Sequence, residues 1–349
     1  MHINPLTLKK IKRFRSIKRG YYSFIILSLL ILACACAEML VNNRALLVQY
    51  NENLYFPTYG SIHTGKDFGL DYEYEVDYKS LKKKFRQENK GDFVIMPPVP
   101  YNAYENDLKE DGMSFPPYPP STKEKHYLGT DNTGRDILAR LFYGFRTAIA
   151  FAILVLIFEY MIGVTIGCLM GFLGGRFDLY FQRVIEIWVN IPKLYAIIIV
   201  SSIMVPTFGS LAGIMIFFGW TTITWYMRTS TYKEKTREYV MAARALGASN
   251  LRIIFVHILP NAIAVLVTFI PFSVSGSIII LTSLDYLGFG LPAPTPSWGE
   301  LLRQGTENLS ALWIASSVVA SMVAVLLLVN FIGEAVREAF DPKKHTVYE

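Results

Sequence analysis

The chain has 349 residues, 52% of them hydrophobic, with a mean hydropathy of +0.32. Its apolar residues fall in long uncharged runs separated by short basic connectors, which excludes an ordinary soluble domain and makes this an integral membrane chain. The net charge of +6 is then explained by Lys and Arg gathered on one side of a membrane, so no nucleic-acid partner is called for.

Residues 1–20 form a basic N-terminal segment with seven Lys and Arg and no acid. Residues 21–41, YYSFIILSLLILACACAEMLV, are long enough to cross a hydrocarbon core of about 30 Å. ILAC at 31–34 loosely matches a lipoprotein processing site. The apolar run continues past that cysteine, however, and Leu32 is bulky, so an uncleaved first helix is expected.

Residues 42–127 are polar, but their ten tyrosines and five phenylalanines predict an ordered insertion, since disordered segments are poor in aromatics. FPPYPP at 115–120 predicts an extended strut leading back to the membrane. Over 128–146 the pattern predicts an amphipathic helix capped by Asp131 or Thr133, with Ile137, Leu138, Leu141, Phe142 and Phe145 on one face. With Arg135, Arg140 and Arg146 on the other face it reads as an interfacial helix, packing against the insertion being the alternative.

A core over 147–333 holds five more spans, 147–172, 179–206, 209–227, 261–284 and 311–333, followed by a tail over 334–349. In the first of these, Gly163, Gly167 and Gly171 share one helix face and permit close helix packing. Within 179–206, Asn190 and Pro192 predict a proline kink, with local unwinding as the alternative. The connector 228–257 carries six basic residues against two acids, and the opposite loops carry only Arg303. Both termini are therefore expected in the cytoplasm and the insertion outside.

Within that connector, REYVMAARALGASNLRIIFVHILPN (237–261) predicts a helix from Glu238, a left-handed cap at Gly247, a second turn started by Ser249 or Asn250, and an end at Pro260. Alanines at 242, 243, 245 and 248 give this elbow a low profile suited to a groove on another protein. It reads equally as a basic loop that obeys the charge rule. Cys34, Cys36 and Cys168 lie in apolar runs and the five histidines are scattered, so neither a disulfide framework nor a metal site is expected.

AARALGASNLRIIFVHILPN resembles the EAA loop of ABC importer permeases, with Ala242, Ala243, Gly247, Leu259 and Pro260 on the motif. Met241 stands where the signature glutamate is expected, and His257 where isoleucine is usual. LGTDNTGRDILARLFYGFRTAI and SLDYLGFGLPAPTPSWGELL are similar to the second permease of dipeptide and oligopeptide importers. NNRALLVQYNENLYFP (42–57) and TSLDYLGFGLP (282–292) resemble the branch typified by the Yej peptide and microcin C importer.

The resemblance implies an all-α polytopic protein of six transmembrane helices with the type I importer permease (MetI-like) fold, in a bacterial inner membrane. It further implies a transport subunit rather than an enzyme, paired with a second homologous permease, two ATP-binding cassette ATPase domains and an extracytoplasmic peptide-binding protein, with peptide as substrate. The ATPase-coupling residues implied are Glu238, Met241, Ala242, Ala243, Gly247 and Ala248. ATP and Mg would be held by the ATPases, and this chain contains no G-x-x-x-x-G-K-[ST] loop. A charge facing lipid is costly, so Glu159 and Glu186, with Asn190, are candidates for the translocation pathway. A structural hydrogen bond is the preferred role for Glu186, while Glu159 is open. A secondary transporter would not need the elbow, and a membrane-anchored enzyme would not need six spans.

Overall fold

The computed structural model describes residues 5–340 except 90 and 109–114, and for 5–7 and 263–265 only the backbone; the last part of the expected tail, 341–349, lies outside the described residues. The N-terminal segment is helix α1 (Pro5–Ser16), and the first span is α2 (Lys18–Ala35) with a single further turn, α3 (Ala37–Leu40). Gly20 lets α2 press against α14 (Leu312–Phe340): a Cβ there would lie 2.1 Å from the Ala335 side chain.

The insertion begins as a lobe of its own. Strands β1 (Leu47–Tyr50), β2 (Asn53–Tyr55) and β3 (Phe93–Ile95) form an antiparallel sheet in the order β2-β1-β3, with Val48 opposite both Tyr55 and Val94. Helix α4 (Tyr78–Glu88), capped by Asp77, covers the sheet. Alternate strand residues and one stripe of α4 meet there, and Val48, Phe68, Val76, Tyr78, Leu81, Phe85 and Val94 make a small separate core.

Helix α5 (Ile137–Leu173) has 37 residues, so it is about 55 Å long and outlasts a hydrocarbon core of about 30 Å. Asp136 caps it, accepting from the Ala139 N–H at 2.8 Å. Residues 128–136 are turns, and α5 runs unbroken through position 146. The separate interfacial helix expected over 128–146 therefore does not form. Its polar face was read as facing water, but Arg140 is fully buried against carboxylates, so the segment packs upright as the first turns of a span.

The third expected span is two helices, α6 (Gly175–Val189) and α7 (Lys193–Ile203), bent by 72° at residues 190–192. The fourth is α8 (Phe208–Gly219) and α9 (Thr221–Glu234), bent by 40° at Trp220. Short helices α10 (Glu238–Ala245) and α11 (Asn250–Arg252) and a π-helical stretch, Ile253–Ile258, lead into α12 (Leu259–Tyr286); α13 (Trp298–Glu307) and α14 complete the chain. Four continuous helices and two bent pairs are thus long and apolar enough for up to six crossings.

The glycine stripe decides how the bundle closes. A Cβ at Gly163, Gly167 or Gly171 would lie 2.0 to 2.8 Å from Ile223, Trp220, Thr224, Met227, Arg228 or Thr231 of α9 and its preceding residue, so only glycine lets the two backbones approach this closely. The main core joins α5, α8, α12, α13 and α14 toward the insertion end. A second core joins the far end of α5 to α9, α10 and α12.

Candidate functional site

The elbow at the end opposite the insertion has two faces. Val240 and Ala243 are buried, and Ala248 is half-buried against the core formed by Cys168, Phe172, Met227, Ile253 and Ile254. Glu238, Met241, Ala242, Leu246 and Gly247 are exposed, Leu246 at 88%. The helix ends as its residues dictate: Gly247 has φ +79°, its N–H donates to Arg244 O at 3.0 Å, and the Ala248 N–H donates to Ala243 O at 3.1 Å. This pattern closes the open carbonyls of the last turn. The Ser249 hydroxyl then accepts from the Arg252 N–H at 3.4 Å to start the next turn. A rigid elbow results, seated on α5 and α12 and presenting an apolar knob outward.

The bent pairs enclose a cavity of about 310 Å³, lined by α5, α7, α8, α9 and α12. Glu159 of α5 is there, 13% exposed, accepting from Lys193 Nζ at 3.3 Å. Lys193 is the first residue of α7, straight after the break, and was not identified from the sequence. The signal available was a lone lysine within the apolar run 179–206. Oε1 of Glu159 also lies where a Cβ at Gly219 would sit, 1.4 Å away, so Gly219 makes the room for the carboxylate. Hydroxyls of Tyr160, Thr222, Ser273 and Ser277 and the rings of Phe269 and Phe272 complete the wall.

Glu186 and Asn190 are not among the residues that line this cavity. Glu186 is exposed and accepts from Arg183 Nη1 at 2.6 Å, one helical turn away. Asn190 caps the end of α6, its Nδ2 donating to Glu186 O at 2.6 Å.

A third polar assembly joins the insertion to the helices. Asp131 Oδ1 accepts from the N–H groups of Thr133 and Arg135, at 2.9 and 3.0 Å, and Oδ2 pairs with Arg135 at 2.8 Å. Arg135 and Arg140 both bond Glu300 of α13, and Arg140 also donates to Ala103 O at 3.0 Å. Two carboxylates thus balance two guanidinium groups in a buried site, which limits the penalty of desolvating them. Next to it His126, 2% exposed, lies 2.8 Å from Asp136 and 3.1 Å from Asp107. Burial disfavours the charged ring, but the two carboxylates override it and raise its pKa to about 8. His126 also holds Asp107 below the ordinary carboxylate range.

Residues 163–346 match the family described as binding-protein-dependent transport system inner membrane component. The chain is 39% identical to the inner membrane ABC transporter permease protein YejE of Escherichia coli K12, over 98% of both chains. It is 37% identical to the peptidoglycan transport system permease protein YejE of Agrobacterium fabrum, over 98% of this chain and 94% of that one. It is 35% identical to the oligopeptide transport system permease protein OppC of Lactococcus lactis subsp. cremoris, over 63% of this chain and 76% of that one.

Proposed function

The chain belongs to the family of binding-protein-dependent transport system inner membrane components and is a permease subunit of an ABC importer; from that premise we propose that it passes peptides inward through the cavity at Glu159 and Lys193, driven from the elbow over 238–258. A permease of this family works with ATPase partners and a substrate-binding protein. The assembly proposed has one second, homologous permease, two ATPase domains and an extracytoplasmic peptide-binding protein, with both termini cytoplasmic and the insertion outside. Peptide cargo is supported by relatives named for oligopeptide and peptidoglycan transport.

The observation that carries the coupling role is the two-faced elbow. Its inner stripe is packed into the bundle, while the exposed Met241, Ala242 and Leu246 offer an apolar surface with the low profile a cleft accepts. Closure of the ATPases on ATP would push this knob. The buried stripe passes the push to α5 and α12, and α9 follows α5 because the glycine stripe locks the two together. The breaks at 190–192 and at Trp220 absorb the movement, and the cavity changes the side on which it opens. Met241 at the position of the signature glutamate makes this contact apolar rather than charged.

Cysteine at Ala242, with a short thiol-reactive cross-linker, tests the reading in the assembled complex. The expected product joins the permease to an ATPase subunit, and cross-linking blocks peptide uptake. A variant that transports normally and never cross-links to the ATPase would remove the elbow from the coupling path.

A further inference from the structure

The cavity holds one charge of each sign. Among the described residues that line it, Glu159 and Lys193 are the only Asp, Glu, Lys, Arg or His side chains. Their bond is a single contact of 3.3 Å, with the side chains 13% and 29% exposed. Charge-assisted bonds of this kind usually measure about 2.7–2.9 Å and gain further from a second, parallel contact. This pair is therefore loosely held, and both partners are accessible from the cavity they line. An ion pair serving packing alone would be closed off from an open volume, as Arg140 is.

Building on the proposed peptide pathway, we propose that Glu159 and Lys193 form a divided seat for a short zwitterionic peptide, in which Lys193 takes the terminal carboxylate and Glu159 the terminal ammonium. A peptide with both ends free must shed water from two opposite charges to enter this cavity, a cost repaid only if each charge finds a partner. Opening the resident pair supplies both partners at once, so one internal ion pair becomes two ion pairs with the ligand. The buried net charge stays zero throughout. A peptide blocked at one end breaks that balance, because it leaves either the ammonium of Lys193 or the carboxylate of Glu159 uncompensated. The hydroxyls of Ser273, Ser277 and Thr222 can bond a peptide backbone without regard to sequence, and Phe269 and Phe272 offer apolar contact to its side chains.

The position of the pair links occupancy to shape. Lys193 begins the half-helix after one break, and the Glu159 carboxylate fills the space left by Gly219 beside the other. Drawing Glu159 toward a ligand releases a contact at each break.

The test uses the assembled transporter, with partner permease and ATPases, in nanodiscs. The probe is a trialanine analogue carrying a diazirine on its central residue and both ends free, and cross-linked peptides are mapped by mass spectrometry. Competitors are trialanine, N-acetyl-trialanine and trialanine amide. In the natural chain, free trialanine is expected to displace the probe at concentrations at least tenfold lower than either blocked form. Lys193→Met should abolish discrimination against the amide alone, and Glu159→Gln against the N-acetyl form alone. The charge exchange Glu159→Lys with Lys193→Glu retains one charge of each sign and should retain the preference; this variant decides the matter should a single variant fail to assemble. Equal competition by all three peptides, with cross-links still on Tyr160 or Phe272, overturns the seat and leaves the peptide pathway standing. Normal uptake with no cross-link in the cavity overturns both.

Discussion

Gly247 and His126 show how single residues set conditions that their neighbours do not reveal. A Cβ at Gly247 would meet no other atom within 4 Å, yet the residue sits at φ +79°. The cost of Gly247→Val is therefore conformational, roughly 1–2 kcal/mol, and falls on the shape of the elbow rather than on the bundle. The expected result is a chain that inserts and melts nearly as before but binds its ATPase partners several-fold more weakly, measured by co-purification; unchanged association would count against the elbow. At His126 the folded pKa of about 8 lies above the ordinary value of 6.5. The stabilisation is thus complete below about pH 6.5 and is lost as pH rises through 8, about 2 kcal/mol in all. Hydrogen exchange around residues 126–139 should accelerate between pH 6.5 and 8.5 beyond the intrinsic rate, and His126→Gln should remove that excess. Legibility was uneven at this scale. Glu159 stood out as an acid in an apolar run, but Lys193 was hidden beside Pro192, whose effect on the backbone drew the reading. Glu186 had its explanation one turn away in Arg183, since residues three apart on a helix are neighbours.

Among the helices, the contact between α5 and α9 was written in the spacing of Gly163, Gly167 and Gly171, although the partner helix was not. A four-residue period says that one face is bare; which helix fills it depends on the path of the intervening 50 residues or so, roughly two spans of chain. Because Gly167 lies against the Thr224 carbonyl, where a Cβ would come within 2.5 Å, even Gly167→Ala must push the backbones apart. Overpacking of this kind typically costs about 1–3 kcal/mol. The expected outcome is a lowered melting temperature together with loss of ATP-driven uptake, and Gly213→Ala on α8, where a Cβ meets nothing within 4 Å, serves as the matched control. Equal effects of the two substitutions would show that the stripe does not lock the helices. The bend at 190–192 was legible only as a kink. Pro192 weakens one turn of helix, but the 72° angle arises because Lys193 is drawn to Glu159 and the Trp188 ring to Phe217 O, at 3.0 Å. Such long-range partners leave no local trace. For the same reason the first turns of α5 read as an interfacial helix: the partner of Arg140, Glu300, is 160 residues away.

For the whole molecule, the insertion divides into a lobe and a joint that should respond differently to removal. The sequence gives no such division within 42–127, because both parts are equally rich in aromatics. In the structure, the chain enters and leaves the lobe at one point: the Asn42 N–H donates to Val99 O and the Val99 N–H to Leu40 O, each at 3.1 Å. Beyond that gate the lobe has its own core, while Val41, Val99, Tyr101 and Ala103 pack with Ala139 of α5 on the near side. The joint itself is the balanced cluster of Asp131, Arg135, Arg140 and Glu300. Replacing residues 44–97 by four Gly and Ser residues spans the gate with ease, since four extended residues reach about 13 Å. Closing so short a loop adds little entropy cost. Only edge contacts such as the 3.0 Å bond from Lys79 to Glu105 are lost. The deleted chain should therefore insert and melt within a few degrees of the full one, while ATP hydrolysis loses its stimulation by the loaded binding protein. Glu300→Gln should do the reverse. It leaves two buried guanidinium groups facing one carboxylate, and breaking a buried pair costs roughly 3–5 kcal/mol, so the melting temperature falls sharply although the lobe is intact. Thermal melting in detergent and stimulated ATPase activity, measured on both variants in parallel, separate the two parts. A deletion that unfolds the bundle, or a Glu300→Gln chain as stable as the natural one, would show that the lobe and the joint cannot be separated in this way.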